Sequence, residues 1–216
     1  MKKILALLLA LTMILASGLA FADVIVLTPG TPTGCGAELF KAYFTVMTQN
    51  AGYNFTWTTT PLSEDGTDVY TALSEDGAMT VKAFCVDGNV SYVLGYGSLS
   101  VDTTDQASAE KFGEWLGAAL SGACLSIYAG DEGPDAVAGI TDQFQNEVTP
   151  LLYSVTSKLT SDEKMKNGVA DITTVLGYPC GMLISGAAEG TTVNMTMQVY
   201  VGSKDTQLVI DESPQQ

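Results

Sequence analysis

The side chains that could perform catalysis are limited by two absences: the chain has no histidine, and its nine cationic residues are all lysines. Mechanisms that pair a serine or a cysteine with histidine are therefore excluded. Ser161 and Lys164 have the S-x-x-K spacing in which a lysine activates a serine one helical turn away. Because the S-x-N and K-[ST]-G motifs of such enzymes are absent from the sequence, we interpret Thr160 and Ser161 as caps of a short helix.

Acidic side chains are the second group with chemical potential, since the chain has 24 Asp and Glu residues. The sequence Leu-Ser-Glu-Asp-Gly occurs at 62–66 and again at 73–77, and a further acidic cluster lies at 131–135. Clustered loop carboxylates could bind Ca²⁺, and two carboxyl groups across a cleft could hydrolyse a glycoside beside Trp57 or Trp115. No EF-hand spacing is present, and Ser-Glu-Asp-Gly is ordinary turn sequence. We therefore assign no catalytic residue, metal ligand or cofactor.

The four cysteines are Cys35, Cys85, Cys124 and Cys180. They show no C-x-x-C spacing, and a zinc site would also lack histidine. An even number of cysteines in an exported chain predicts two disulfides, for which three pairings exist. We favour Cys35 with Cys85 and Cys124 with Cys180, because each pair would join the helical part and the strands of one half of the chain.

The segment Gly34-Cys35-Gly36 lies between a predicted strand and a predicted helix, where backbone amides could hold an anion. A dinucleotide-binding loop needs a third glycine where Leu39 stands, and the phosphate-binding loop of nucleotide hydrolases needs a lysine and a hydroxyl residue that are absent. We therefore predict an ordinary loop.

Residues 1–22 have the features of a secretory leader. Two lysines follow Met1, the next residues to Leu15 are almost all aliphatic, and Ala20 and Ala22 supply the small residues of a cleavage site. We predict cleavage after Ala22 and a secreted or extracytoplasmic mature chain of residues 23–216, without a transmembrane anchor. The alternative is an uncleaved leader that anchors the chain. A leader that begins with lysines is typical of bacteria.

The formal net charge is −15 at pH 7. Nucleic-acid binding is driven by Lys and Arg side chains that displace counterions from phosphates, so such an acidic chain is unsuited to it. Five tyrosines lie in or beside elements whose other face should form the core, and tyrosine is common at binding surfaces. These residues are Tyr92, Tyr96, Tyr153, Tyr178 and Tyr200. We expect some of them to be half exposed.

The elements that must position these residues are indicated by periodicity and turn sequences. Helical spacing predicts helices from Ala37 to about Gly52, from Thr103, across Val137 to Leu159 with an end or a kink at Pro150, and a short one before Gly168. Alternation predicts strands at 23–27, 53–58, 69–73, 79–86, 90–99, 172–176, 182–185, 192–201 and 207–210. Asp76-Gly77 and Asp87-Gly88 are typical hairpin turns, so we expect antiparallel pairing.

This order predicts an α+β fold, with antiparallel sheet and helices packed on one face. It also admits a tandem duplication of a helix followed by four strands, with halves at 23–102 and 103–216. We predict a secreted, acidic, non-catalytic protein that binds a protein or surface ligand. Two alternatives remain: a carboxylate-dependent hydrolase acting on extracellular polysaccharide or cell wall, and a calcium-stabilised surface component.

Overall fold

The computed structural model describes residues 23–61, 67–102, 104–159 and 162–211. Several predictions fall outside these residues: the leader, the first Leu-Ser-Glu-Asp-Gly segment, the predicted helix start at Thr103, and the caps at Thr160 and Ser161.

Within the described residues the chain forms nine strands, four α-helices and one 3₁₀ helix. The strands are β1 (Val24–Thr28), β2 (Phe55–Pro61), β3 (Thr67–Ser74), β4 (Met79–Val86), β5 (Asn89–Asp102), β6 (Val169–Val175), β7 (Tyr178–Glu189), β8 (Thr192–Gly202) and β9 (Gln207–Asp211). The helices are α1 (Ala37–Asn50), α2 (Gln106–Glu132), α3 (Thr141–Lys158) and α4 (Asp162–Asn167), and the 3₁₀ helix is Pro134–Gly139.

Seven strands form one antiparallel sheet in the order β2-β3-β4-β5-β8-β7-β6. β1 and β9 form a separate two-stranded antiparallel ribbon that joins the two ends of the described chain. The helices pack against one face of the sheet, and the ribbon packs against the β6 and β7 region of the other face. The predicted α+β class and the antiparallel pairing are confirmed.

The sheet is buried on the helical side because apolar residues alternate along its strands. In β4, Met79, Val81 and Ala83 are buried against the helices, whereas Thr80 and Lys82 on the other face are only half-buried.

Helix α1 also buries one face, with its apolar residues at helical spacing. Phe40 and Phe44 are fully buried one turn apart, and both rings meet the edge of Trp57, with centroids 6.1 and 5.5 Å away. The indole Nε1 of Trp57 donates to Thr45 Oγ1 at 3.1 Å, so its polar atom is also paired.

Turn chemistry matches the sequence prediction at one hairpin and differs at another. Asp87 and Gly88 both have positive φ, as the predicted tight hairpin requires. In the β3-β4 turn only Gly77 does, and Asp76 instead accepts hydrogen bonds from Ser74 and from the Ala78 amide. Helix α2 begins at Gln106 and is capped by Asp105, whose carboxylate accepts from the Ala107 amide.

Pro150 does not end a helix, although the sequence suggested an end or a kink there. It lies inside α3, which continues to Lys158. The helix persists because its apolar stripe, Phe144, Val148, Leu151 and Val155, stays buried on both sides of the proline. Tertiary packing can outweigh the loss of one backbone hydrogen bond.

The two halves of the chain meet at the centre of the sheet, where β5 pairs with β8 over eleven residues from Tyr92 to Asp102. Strands β2 to β5 lie on one side of this junction and β8 to β6 on the other. The second half contributes three strands to the sheet, because its last strand, β9, pairs with β1 instead. The halves are therefore joined by continuous backbone hydrogen bonding.

Candidate binding surface

One part of the sheet face opposite the helices is exposed, because the β1-β9 ribbon covers mainly β6 and β7. We call this part the open sheet face. It comprises Thr56, Thr58, Thr60, Thr71, Leu73, Thr80, Lys82, Tyr96, Ser98, Ser100, Asn194 and Thr196. All of these residues are exposed or half-buried. Their side chains share a face because they are register partners or lie two residues apart on one strand.

The centre of the open sheet face is apolar and aromatic. Leu73, Thr80 and Tyr96 are register partners on three neighbouring strands, so their side chains form one row. Leu73 is 48% exposed and Tyr96 is 39% exposed, so two large apolar side chains lie in the same row at the surface. In the next row, the Lys82 ammonium lies 5.8 Å from the Tyr96 ring centroid, within the range of a cation–π contact.

The twelve residues of the open sheet face include no carboxylate, and Lys82 carries their only charge. The same face continues beyond Ser100 and Asn194 to two carboxylates, Asp102 on β5 and Glu189 on β7. The margins are therefore threonine, serine and asparagine, with acidic residues at one end. Protein-binding surfaces have this composition: an apolar and aromatic centre, depleted of charge, inside a polar rim. The arrangement can therefore exclude water over its centre without burying an unpaired carboxylate.

Only two of the five tyrosines expected at the surface are exposed, namely Tyr96 and Tyr153. Tyr92 stacks on Phe84 with ring centroids 4.3 Å apart. The Tyr200 hydroxyl donates to Gln198, and the Tyr178 hydroxyl donates to Asp131, each at 2.6 Å. These two buried residues thus find hydrogen-bond acceptors inside the protein, and the expectation that some of the five tyrosines are exposed holds for Tyr96 and Tyr153.

A groove of about 600 Å³ lies on the helical side, between the end of α1, helix α2 and the start of α3. Its lining includes the apolar residues Ala118, Leu125, Ile140 and Phe144. Glu114 is the one acidic residue among the described residues that line it. A glycosidase needs two carboxyl groups facing each other, so the described part of this groove does not supply that pair.

Asp131 connects three parts of the fold at one end of the sheet. Its carboxylate accepts from the Gly34 amide and from the Tyr178 hydroxyl, both at 2.6 Å. Glu132 beside it pairs with Lys204 at 2.7 Å. The amide of the Gly34-Cys35-Gly36 loop is therefore occupied by the protein's own carboxylate, which agrees with an ordinary loop. The described residues contain no group of three or more Cys, Asp or Glu side chains arranged to hold a metal ion.

The four cysteines are buried free thiols, and no two of them lie at disulfide distance. Burial raises the pKa of Cys35 to about 12, and the nearby Asp131 carboxylate adds to this. Burial also raises the pKa of Cys85 to about 12, with further contributions from Cys35 and Asp68. Such thiols are protonated at neutral pH and are poor nucleophiles. The predicted disulfides remain predictions.

No family model, curated protein or solved structure matches this chain. No residue role can therefore be transferred from a relative, and the candidate surface rests on its own geometry. Among the helices of the described residues, none is long and apolar enough to cross a membrane.

Proposed function

We propose that this chain is an exported, non-catalytic protein that binds a basic protein partner through the open sheet face. The observation that carries the proposal is the exposed row of Leu73, Thr80 and Tyr96, which lies away from the carboxylates at the end of the face. Export follows from the predicted leader, residues 1–22.

The size of the open sheet face suits a modest protein interface. Neighbouring strands lie about 4.8 Å apart and same-face residues along a strand about 6.8 Å apart, so the face covers on the order of 500 Å². A standard interface buries about 800 Å² on each partner. The groove that the structure shows lies on the helical side, whereas small ligands bind in concave pockets, so the open sheet face favours a protein over a small molecule.

The charge of the whole chain favours a basic partner. A net charge of −15 attracts cationic proteins at long range and repels acidic ones. The centre, where Lys82 is the one charged residue, then avoids the desolvation of carboxylates on contact. The association rate should therefore fall as the salt concentration rises, while the dissociation rate depends on the apolar centre.

The test compares baits that differ at one tyrosine. The full chain, Tyr96→Ala and Tyr153→Ala are immobilised and exposed to the extracellular proteins of the source culture. Tyr153 is 75% exposed and belongs to helix α3 in the helical layer, so it is a matched control. A retained protein is identified, purified and titrated calorimetrically. We expect a basic protein whose Kd rises at least about tenfold with Tyr96→Ala, the change typical of a central interface residue, and less than about twofold with Tyr153→Ala.

Other outcomes would replace the proposal. Retention that is insensitive to Tyr96→Ala would place the binding site elsewhere, and an absence of any retained basic protein would contradict the proposal. Binding of the chain to insoluble cell-wall polysaccharide would make a glycan the ligand. Release of reducing sugar from that polysaccharide would support the hydrolase alternative. A rise in melting temperature produced by micromolar Ca²⁺ but not by Mg²⁺ would support the calcium-stabilised alternative.

A further inference from the structure

Two of the four thiols are already neighbours in the core. Cys124 on helix α2 and Cys180 on strand β7 are fully buried in the same core, and Val175, the register partner of Tyr178, lies beside both. The Cys124 thiol also lies 3.7 Å from the Val175 carbonyl, on the strand that pairs with β7. The Cys124 sulfur thus already lies at the β6-β7 hairpin, two residues along β7 from Cys180, and closing the pair to an S–S bond of about 2.05 Å needs no change of strand pairing.

Cys35 and Cys85 are not direct neighbours, because strand β5 lies between the segments that carry them. Cys85 is the register partner of Val90, and the Val90 amide donates to the Cys35 carbonyl from the other side at 2.9 Å. Two strand spacings of about 4.8 Å place their Cα atoms roughly 9.6 Å apart. A disulfide spans at most about 7 Å between Cα atoms, so this pair cannot close unless the backbone moves.

The Cys35 thiol also contacts helix α2. Its sulfur lies 3.6 Å from the Ser126 carbonyl on helix α2. Gly130 on the same helix leaves the space for this sulfur, since a Cβ at that position would lie 2.1 Å from it. The close approach of helix and loop therefore depends on a compact thiol rather than on a bridge to β4.

We propose that Cys124 and Cys180 form the single disulfide of the exported protein, while Cys35 and Cys85 remain buried thiols. In this step each thiol loses a proton and one electron, and the two sulfurs form a bond. The two electrons reduce a small-molecule or protein disulfide, which leaves as two thiols. This differs from the sequence prediction of two bridges. It rests on the proposed export only for the oxidising compartment.

Because both sulfurs are fully buried, the bond must form during folding. An oxidant cannot reach Cys124 once helix α2 has packed on the sheet. The bond would tie the longest helix to strand β7 and close a loop of more than 50 residues, so its loss should lower the melting temperature by about 8 °C or more.

The test counts thiols in the full chain. In the deciding arm, reduced and unfolded protein is refolded with a mixture of oxidised and reduced glutathione, then unfolded without reductant, alkylated, digested and weighed. We expect alkylation at Cys35 and Cys85 only, and a linked peptide pair containing Cys124 and Cys180. Alkylation at all four cysteines, or at none, overturns the proposal.

Two variants separate the pairs in the same experiment. Cys124→Ser should expose a third alkylated residue, Cys180, and should lower the melting temperature of the oxidised protein. Cys35→Ala should leave the linked pair intact and Cys85 alkylated as before. A second arm uses protein recovered from the culture. If protein from the medium is fully alkylated, the disulfide proposal is overturned although export holds. If the chain is found only inside the cells and is fully alkylated there, while the refolded protein carries the bond, the proposed export is overturned and the disulfide proposal stands.

Discussion

Replacing Gly97 by alanine tests the contact between the sheet and helix α2. Gly97 lies on β5 with its missing side chain directed at Trp115, which is 2% exposed. A Cβ at this position would lie 2.3 Å from Trp115 Cζ2 and 2.4 Å from the Ala78 carbonyl oxygen. Distances this short cannot be accommodated without displacing the indole, and the second contact is with backbone.

The expected loss follows from these two contacts. Overpacking a core by one methyl group costs about 1–3 kcal/mol. The upper end applies here, because the Ala78 carbonyl also accepts the Ser98 amide at 3.1 Å and cannot turn away alone. For a chain of this size, 3 kcal/mol corresponds to a fall in melting temperature of roughly 6–12 °C. Thermal unfolding followed by circular dichroism measures this directly.

Gly113→Ala is the matched control, because Gly113 is exposed in the interior of α2 and a Cβ there meets nothing within 4 Å. Alanine should stabilise that helix by about 0.5–1 kcal/mol and raise the melting temperature by a few degrees. A double variant with Trp115→Leu should recover only part of the Gly97→Ala loss, since the Ala78 contact remains. A Gly97→Ala protein that melts within about 1 °C of the wild type would refute the reasoning.

Two further predictions concern helix α3. Pro150→Ala should stabilise the protein by about 1–3 kcal/mol, because Pro150 is exposed within a helix and alanine restores a backbone donor; an unchanged melting temperature would contradict this. The second concerns the Asp171 carboxyl: partial burial would raise its pKa, but hydrogen bonds from Ser154, Lys158 and the Ile172 amide outweigh burial and lower it. A lowered pKa in the folded state stabilises the protein above the unfolded pKa of about 4, and this contribution disappears as the pH falls through the folded value. Asp171→Asn should therefore cost about 1 kcal/mol at pH 7, and its melting temperature should converge with that of the wild type near pH 2. A gap that stays constant across this range would show that the charge of Asp171 does not matter.

Much of the secondary structure could be predicted from the sequence because its signals are local. Strand β4 has the predicted bounds, since alternation begins at Met79 and ends at the Asp87-Gly88 turn. Helix α1 begins at the predicted Ala37 and stops before Gly52, whose φ is positive. The predicted fold class followed from these local elements. At Pro150 the sequence left an end or a kink open, and the helix does not end there, because its buried stripe packs against the sheet on both sides of the proline.

The candidate surface could be predicted only in part. Alternation shows that Thr80, Lys82 and Tyr96 lie on the face opposite the core, but not whether another element covers that face. Tyr200 has the same periodicity as Tyr96 and is buried, because its neighbours in the sheet lie near the ribbon of β1 and β9. Nothing in the sequence near Val24 indicates that it pairs with Asp211 at the other end of the described chain.

The sequence alone therefore determined the elements, the charge and the chemistry that is excluded, since each depends on residue types or on short-range spacing. Only the tertiary structure decided which strands are neighbours, which tyrosines are exposed and which thiols meet. Cys35 and Cys85 seemed as suitable a pair as Cys124 and Cys180 when judged by separation along the chain. The placement of β5 between the first two, and the position of Cys124 at the β6-β7 hairpin that carries Cys180, arise from pairings between distant segments. Those pairings depend on how the whole core packs, so short-range sequence patterns do not predict them.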